Sequence, residues 1–136
     1  MAKQIFVNLP VKNLDASINF FTKLGFTFNQ QFTNEQGTCM IIGENIFAML
    51  LVEDFFKTFT TKEISDAAKT AEVILALAVD SRQEVDEMVK NAKEAGGNIP
   101  ATTQDNGWMY TASFPDLDGH LWEVLYMDPA GIPPTM

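Results

Sequence analysis

Basic residues are scarce in this chain. Nine Lys and Arg stand against 18 Asp and Glu, for a formal net charge of -9 over 136 residues. Nucleic-acid phosphates and anionic membrane surfaces both need a basic footprint, so the charge argues against either partner. A neutral or cationic ligand suits such a field better than an anion, and acidity also serves solubility. There is one cysteine, Cys39, which has no internal disulfide partner and gives no sign of secretion. There is one histidine, His120, so any metal site would depend heavily on carboxylates. No apolar run approaches the roughly 20 residues that cross a bilayer. Phosphate loop, serine-nucleophile elbow and dinucleotide fingerprint are all missing. The opening Met-Ala-Lys-Gln-Ile-Phe-Val passes straight into a strand-like pattern, which reads against a signal peptide. The expected location is the cytoplasm.

What is present is an ordinary globular composition, 46% hydrophobic, in a length that fits one domain. Gln4–Val11 alternates as a strand, with Ile5, Val7, Leu9 and Val11 on one face and Gln4, Phe6, Asn8 and Pro10 on the other. Asn13 predicts an N-cap for a helix over Leu14–Leu24, closed by Gly25. Strand-like stretches follow at Phe26–Phe32, Thr38–Gly43 and Ile46–Val52, the last two joined tightly through Gly43-Glu44-Asn45. Glu53–Phe59 reads as a short helical segment, and the polar Thr60–Thr70 as room for another. The order then repeats. Glu72–Val79 is a strand, Ser81 and Glu84 form a capping box for a helix reaching Ala95, and Gly96-Gly97 closes it. A strand near Asn98–Thr103, a polar turn over Gln104–Gly107, and strands Trp108–Phe114 and Leu121–Met127 complete the copy. The tail from Asp128 reads as irregular.

Two copies of strand–helix–strand–strand–strand, about 4–65 and 71–128, predict an α+β domain covering residues 1–136. Each copy is too short to bury a core alone. The expected product is a curved eight-stranded mixed sheet with helices on the convex face and a cleft on the concave one. A ferredoxin-like arrangement needs fewer strands than these.

The residues also carry a family resemblance. Phe6-Val-Asn-Leu-Pro-Val-Lys-Asn-Leu-Asp-Ala-Ser17, followed by Phe20-Phe21 and Leu24-Gly25-Phe26, resembles the start of the vicinal-oxygen-chelate superfamily. Phe114-Pro-Asp-Leu-Asp-Gly-His-Leu-Trp-Glu-Val124 resembles its closing hairpin, often written D-P-D-G-x-x-x-E. The similarity runs from about Ile5 to Met127, and looks nearest to bacterial proteins labelled as predicted lactoylglutathione lyases. The resemblance implies paired βαβββ modules, usually dimeric, with a concave site. Metal-dependent members, such as glyoxalase I, extradiol dioxygenases and fosfomycin-resistance thiol transferases, hold a divalent ion there. Their ligands come from the first strand of each module and the last strand of the second, which here fall at Phe6, Ile74 and Glu123. Phe6 and Ile74 have no lone pair to donate, and a divalent cation needs several N, O or S donors. The departure points instead toward the metal-free, drug-sequestering members that resemble bleomycin-resistance dimers.

Strand parity supplies the expected lining independently: Phe6, Asn8, Ile74, Ala76, Leu121 and Glu123, with Gln4 and Leu125 on the same faces. Trp108 and Tyr110 share parity with Phe114 toward the helix, which leaves Met109, Thr111 and Ser113 for the cleft. An apolar wall with a few polar anchors suits an organic ligand. Glu123 is the candidate general base if the protein is an enzyme, although the reading leans toward binding without catalysis. His120 falls on the face opposite Glu123, beside a turn in which Asp116 and Asp118 make Asx-type bonds and Gly119 supplies a positive φ. Phe55, Phe56 and Phe59 read as a lid, as a contact with a second subunit, or as plain packing. Cys39 reads as a small buried hydrophobe. The expectation is therefore a homodimeric protein binding a small molecule, with no cofactor and no catalytic metal. The alternatives are a metal-dependent lyase or isomerase resembling lactoylglutathione lyase, and a non-catalytic dimerisation module.

Overall fold

The computed structural model describes residues 1–97 and 103–134. The chain divides into two compact units, Met1–Asp66 and Ala67–Met136. The first contains β1 (Ile5–Val11), α1 (Leu14–Lys23), β2 (Thr27–Asn34), β3 (Gly37–Gly43), β4 (Ile46–Val52) and α2 (Glu53–Phe56), which runs on into a 3-10 turn over Lys57–Phe59. The second contains β5 (Ile74–Ala78), α3 (Arg82–Glu94), β6 (Gln104–Asp105), β7 (Met109–Pro115) and β8 (Leu121–Met127). Each unit is a four-stranded mixed sheet in the same order, β1-β4-β3-β2 and β5-β8-β7-β6. In both, the first strand runs parallel to the last, and the other pairings are antiparallel. The chain is thus an α+β fold of two βαβββ modules.

The helices form where their caps and apolar spacing place them. The Asn13 side chain accepts from the Ala16 amide at 3.0 Å, and the Ser81 hydroxyl accepts from the Glu84 amide at 3.1 Å. Each satisfies an amide that the first helical turn leaves unpaired. Gly25 and Gly96 follow the helix ends at φ +100 and +101, the left-handed conformation of a helix C-terminus. Helix α1 buries Leu14, Ser17, Phe20 and Phe21, on the side of the sheet where Leu9, Val11, Met40, Ala48 and Leu50 are also buried. Burial of each large side chain there contributes about 1.5–3 kcal/mol. In the second unit Val85 of α3 meets Ala112 and Val124, with Val79, Met88, Val89, Tyr110 and Tyr126 around them.

Most expected elements lie within a residue or two of their predicted limits. Two expectations fail within the described residues. Thr60–Thr70 forms no helix; it lacks the apolar spacing that would bury one face. Gln104–Asp105, read as a turn, instead pairs with Tyr110 and Thr111 as strand β6. Arg82 holds that edge. Its guanidinium grips the Asp105 carboxylate at 2.7 and 3.1 Å, donates to the Gly107 carbonyl at 2.8 Å and lies 4.8 Å above the Tyr110 ring. The strand expected near Asn98–Thr103 falls largely outside the described residues.

One irregularity shapes the first unit. Between the pairs Asn29↔Cys39 and Asn34↔Gly37 the β2–β3 register shifts, so four residues of β2 stand opposite the single Thr38. This is a wide bulge, the kind of distortion that re-aims side chains beside binding sites.

Candidate functional site

In each sheet the face away from the helix carries the residues that sequence parity singles out. On β1 the pattern is clear: Phe6 and Asn8 are exposed while Leu9 and Val11 are buried. Phe6 pairs in register with Phe47 and Asn8 with Met49. The two phenyl rings stack at 4.8 Å with 15° between their planes. Phe6 nonetheless stays 50% exposed, so the stack is an apolar surface facing outward. Further along the same face the sheet closes over, and Cys39 and Leu51 are each 2% exposed. Burial there pushes the Cys39 thiol above its ordinary pKa, as expected of an unreactive thiol in apolar surroundings.

The second sheet places the other predicted residues in three rows. Ala76, Glu123 and Ser113 are in register across β5, β8 and β7; Ile74, Leu121 and Pro115 form the next row, and Ala78, Leu125 and Thr111 the row beyond. Met109 pairs with Met127 at the far end. Neighbouring strands lie roughly 4.8 Å apart, so Glu123 rises between a methyl group and a hydroxyl, with Leu121 and Leu125 before and after it on its own strand. Ile74 is 60% exposed, whereas Thr111 and Leu125 are nearly covered at 8% each. Parity therefore identifies the face correctly, but not how far each residue projects from it.

A divalent cation finds little here. Phe6 and Ile74 present only hydrocarbon, and the side chains in register with Glu123 are Ala76 and Ser113. One carboxylate and one alcohol fall short of the three or more donors that such ions require. The residues do not fit the metal of the metal-dependent relatives.

The polar chemistry of the second unit is concentrated instead in the turn between β7 and β8. Asp116 is 7% exposed. Its Oδ1 accepts from the Asp118 and His120 amides at 3.0 Å each, and its Oδ2 accepts from the Trp122 indole N–H at 3.0 Å. Burial raises the Asp116 carboxyl above the ordinary range, while His120 and these hydrogen bonds oppose the rise. Ligand atoms of Asp116, Asp118 and His120 lie within 4.8 Å of one another. Asp116 has both oxygens engaged by the turn, which assigns it to holding the hairpin. The Asx bond and the positive φ of Gly119, +92, are as the sequence predicts. The Trp122 contact is not; only a buried indole N–H in search of an acceptor could have signalled it.

Sequence reasoning also missed the bulged segment Gln31–Asn34. Its mixed polar and aromatic residues follow no period of two, which is itself the signature of an interrupted ladder.

The model of the glyoxalase/bleomycin resistance protein/dioxygenase superfamily matches residues 3–124. The chain belongs to that superfamily. A hypothetical protein from S. aureus is similar over 93% of this chain and 95% of its own, at 30% identity and a TM-score of 0.77. A glyoxalase/bleomycin resistance protein/dioxygenase family enzyme from Burkholderia phytofirmans aligns over 93% and 99% at 16% identity, TM-score 0.78. TioX from a Micromonospora species aligns over 93% of each chain at 21% identity, TM-score 0.69. The last two show likeness of fold alone. No curated protein matches the sequence.

Proposed function

We propose that this protein binds a small organic molecule against the open faces of its sheets, without a catalytic metal. The observation that supports this reading is the setting of Glu123, whose register neighbours are Ala76 and Ser113. A lone carboxylate among apolar and small side chains is a polar anchor for an organic ligand, and a poor cation site. The contact residues are Phe6 and Asn8 on the first sheet, and Ile74, Ala76, Met109, Thr111, Ser113, Leu121 and Glu123 on the second. Glu123 accepts a hydrogen bond from the ligand, Asn8 and Ser113 offer further polar contacts, and Phe6 supplies a ring face.

The protein works as a homodimer in the cytoplasm. Exposed apolar side chains at Ile5, Phe6, Val73 and Ile74 favour burial against a second copy, as contiguous exposed apolar surface usually does. No helix among the described residues is long and apolar enough to cross a membrane.

Elemental analysis of protein purified without chelators tests the reading. The expected result is metal well below one equivalent per chain, unchanged in Glu123→Ala. Stoichiometric Zn, Ni, Mn or Fe that disappears in Glu123→Ala would overturn it. So would turnover of the methylglyoxal–glutathione hemithioacetal that depends on added metal and on Glu123.

A further inference from the structure

The geometry points to a second binding site, wholly inside the first unit, for an uncharged one- or two-ring aromatic molecule. A pocket of about 240 Å³ opens beside the β2 bulge. Its floor is Met49 and Leu51 of β4, and its sides are Phe55 of α2 and the bulged residues Gln31 to Asn34. None of the contact residues proposed for the open faces lines it. The inference therefore stands apart from that reading.

Three features give the pocket a fixed shape. The bulge is bonded internally: Asn29 Oδ1 accepts from the Gln31 amide at 3.0 Å, and the Thr33 hydroxyl donates to the Asn29 carbonyl at 2.8 Å. It is tied to the sheet through the Thr33 and Thr38 hydroxyls, 2.8 Å apart, with Thr38 fully buried. At the wall, a side chain on Gly37 would stand 2.7 Å from Leu51 Cδ2 and 3.0 Å from the Leu50 carbonyl oxygen, so the absence of a Cβ lets the strands approach. Finally, Phe55 is braced edge-on by Phe59, with centroids 5.1 Å apart.

The lining selects the ligand. Phe32 and Phe55 offer ring contacts and Met49 a thioether, both of which favour aromatic partners. Phe32 is 62% exposed, an aromatic held at the mouth without burial of its own. Gln31, Thr33 and Asn34 offer neutral polar atoms for one edge of the guest. No charged side chain lines the pocket, so an ionic guest would lose hydration without gaining a partner. The volume lies just below the 300–1,000 Å³ usual for drug-sized ligands, which limits the guest to one or two rings.

The test is titration of the isotopically labelled full-length chain with indole, followed by amide chemical shifts, with benzoate and benzylammonium as charged counterparts. Saturable shifts confined to residues 31–37 and 49–55 are expected, with the charged probes weaker by roughly tenfold or more. Met49→Trp should fill the pocket and abolish the shifts. Phe32→Ala, at an exposed position, should leave the melting temperature unchanged and weaken indole about threefold to tenfold. The proposal fails if the shifts centre on β8 around Glu123, if benzoate or benzylammonium binds as well as indole, or if Phe32→Ala binds indole like the parent chain.

Discussion

The two units share a strand order yet distribute their polar chemistry in opposite ways. In the first, β3 and β4 meet through the short turn at Glu44-Asn45, and the structured polar contacts lie in the β2 bulge beside a pocket. In the second, β2's counterpart is the two-residue strand β6. The hairpin between the last two strands is long enough to bury Asp116 and to bind the Trp122 indole with it. One topology thus supports a bulged edge suited to a guest and a turn locked by its own carboxylate. The difference comes from where each module carries its extra residues: in a strand in one, in a turn in the other.

The sharpest way to break this comparison is to remove the lock. Asp116→Ala deletes the acceptor of three hydrogen bonds in a buried turn, and should cost about 4 kcal/mol by equilibrium denaturation, given the usual range for bonds to a buried charged group. A cost under about 1 kcal/mol, the worth of a single exposed bond, would show that the turn is held by other contacts. Its pH dependence has a definite sign. Because burial raises the Asp116 pKa, the parent should gain stability relative to Asp116→Asn as pH falls through the folded pKa toward the unfolded one.

A smaller effect separates two glycines of similar backbone conformation. Gly119 has φ +92, and a Cβ there would lie 2.8 Å from the Ala67 carbonyl oxygen and from Ala68 backbone atoms. Gly25 has φ +100, and nothing lies within 4 Å of such a Cβ. Gly119→Ala should cost about 3 kcal/mol, combining left-handed strain with overpacking. Gly25→Ala should cost only about 1 kcal/mol, from the strain alone. Equal melting temperatures for the two variants would remove the distinction between a packed turn and an open helix end.

The smallest effect belongs to the β6 edge. The bidentate hydrogen bond from Arg82, with help from the Gly107 amide, lowers the Asp105 pKa. Its contribution is therefore present above the unfolded carboxylate pKa and is lost as pH falls through the folded one. Both partners are exposed, so the loss should be slight and weakened by salt. Side-chain carbon shifts of Asp105, followed down in pH with and without Arg82→Gln, would measure it; superimposable titrations would show that the ion pair does not form in solution.

Much of this organisation was legible in the residues. Ile46–Val52 and Leu121–Met127 have their predicted limits, because apolar runs bounded by turn residues leave little choice of register. The caps at Asn13 and Ser81 and the closing glycines at Gly25 and Gly96 were equally plain, since each answers a local need of the backbone. The parity of Phe6, Asn8, Ile74, Ala76 and Glu123 identified the open faces. Phe6 and Ile74 as hydrocarbon at positions where relatives place ligands could be read from the chain alone.

Tertiary structure decided the rest. The Gln104–Asp105 strand exists because Arg82, distant in sequence, grips Asp105. Thr111 and Leu125 are covered although they share the open face with exposed Ser113, since alternation specifies direction and not depth. The Asp116–Trp122 bond depends on a turn that brings two side chains together at 3.0 Å. The β2 bulge depends on a mismatch of length between two strands, which neither strand records by itself. Local sequence specified which backbone conformations are comfortable, and thereby the module order, the caps and the scarcity of metal donors. Packing determined which polar groups meet and where a cavity remains, because those follow from distances between segments that only the folded chain brings into contact.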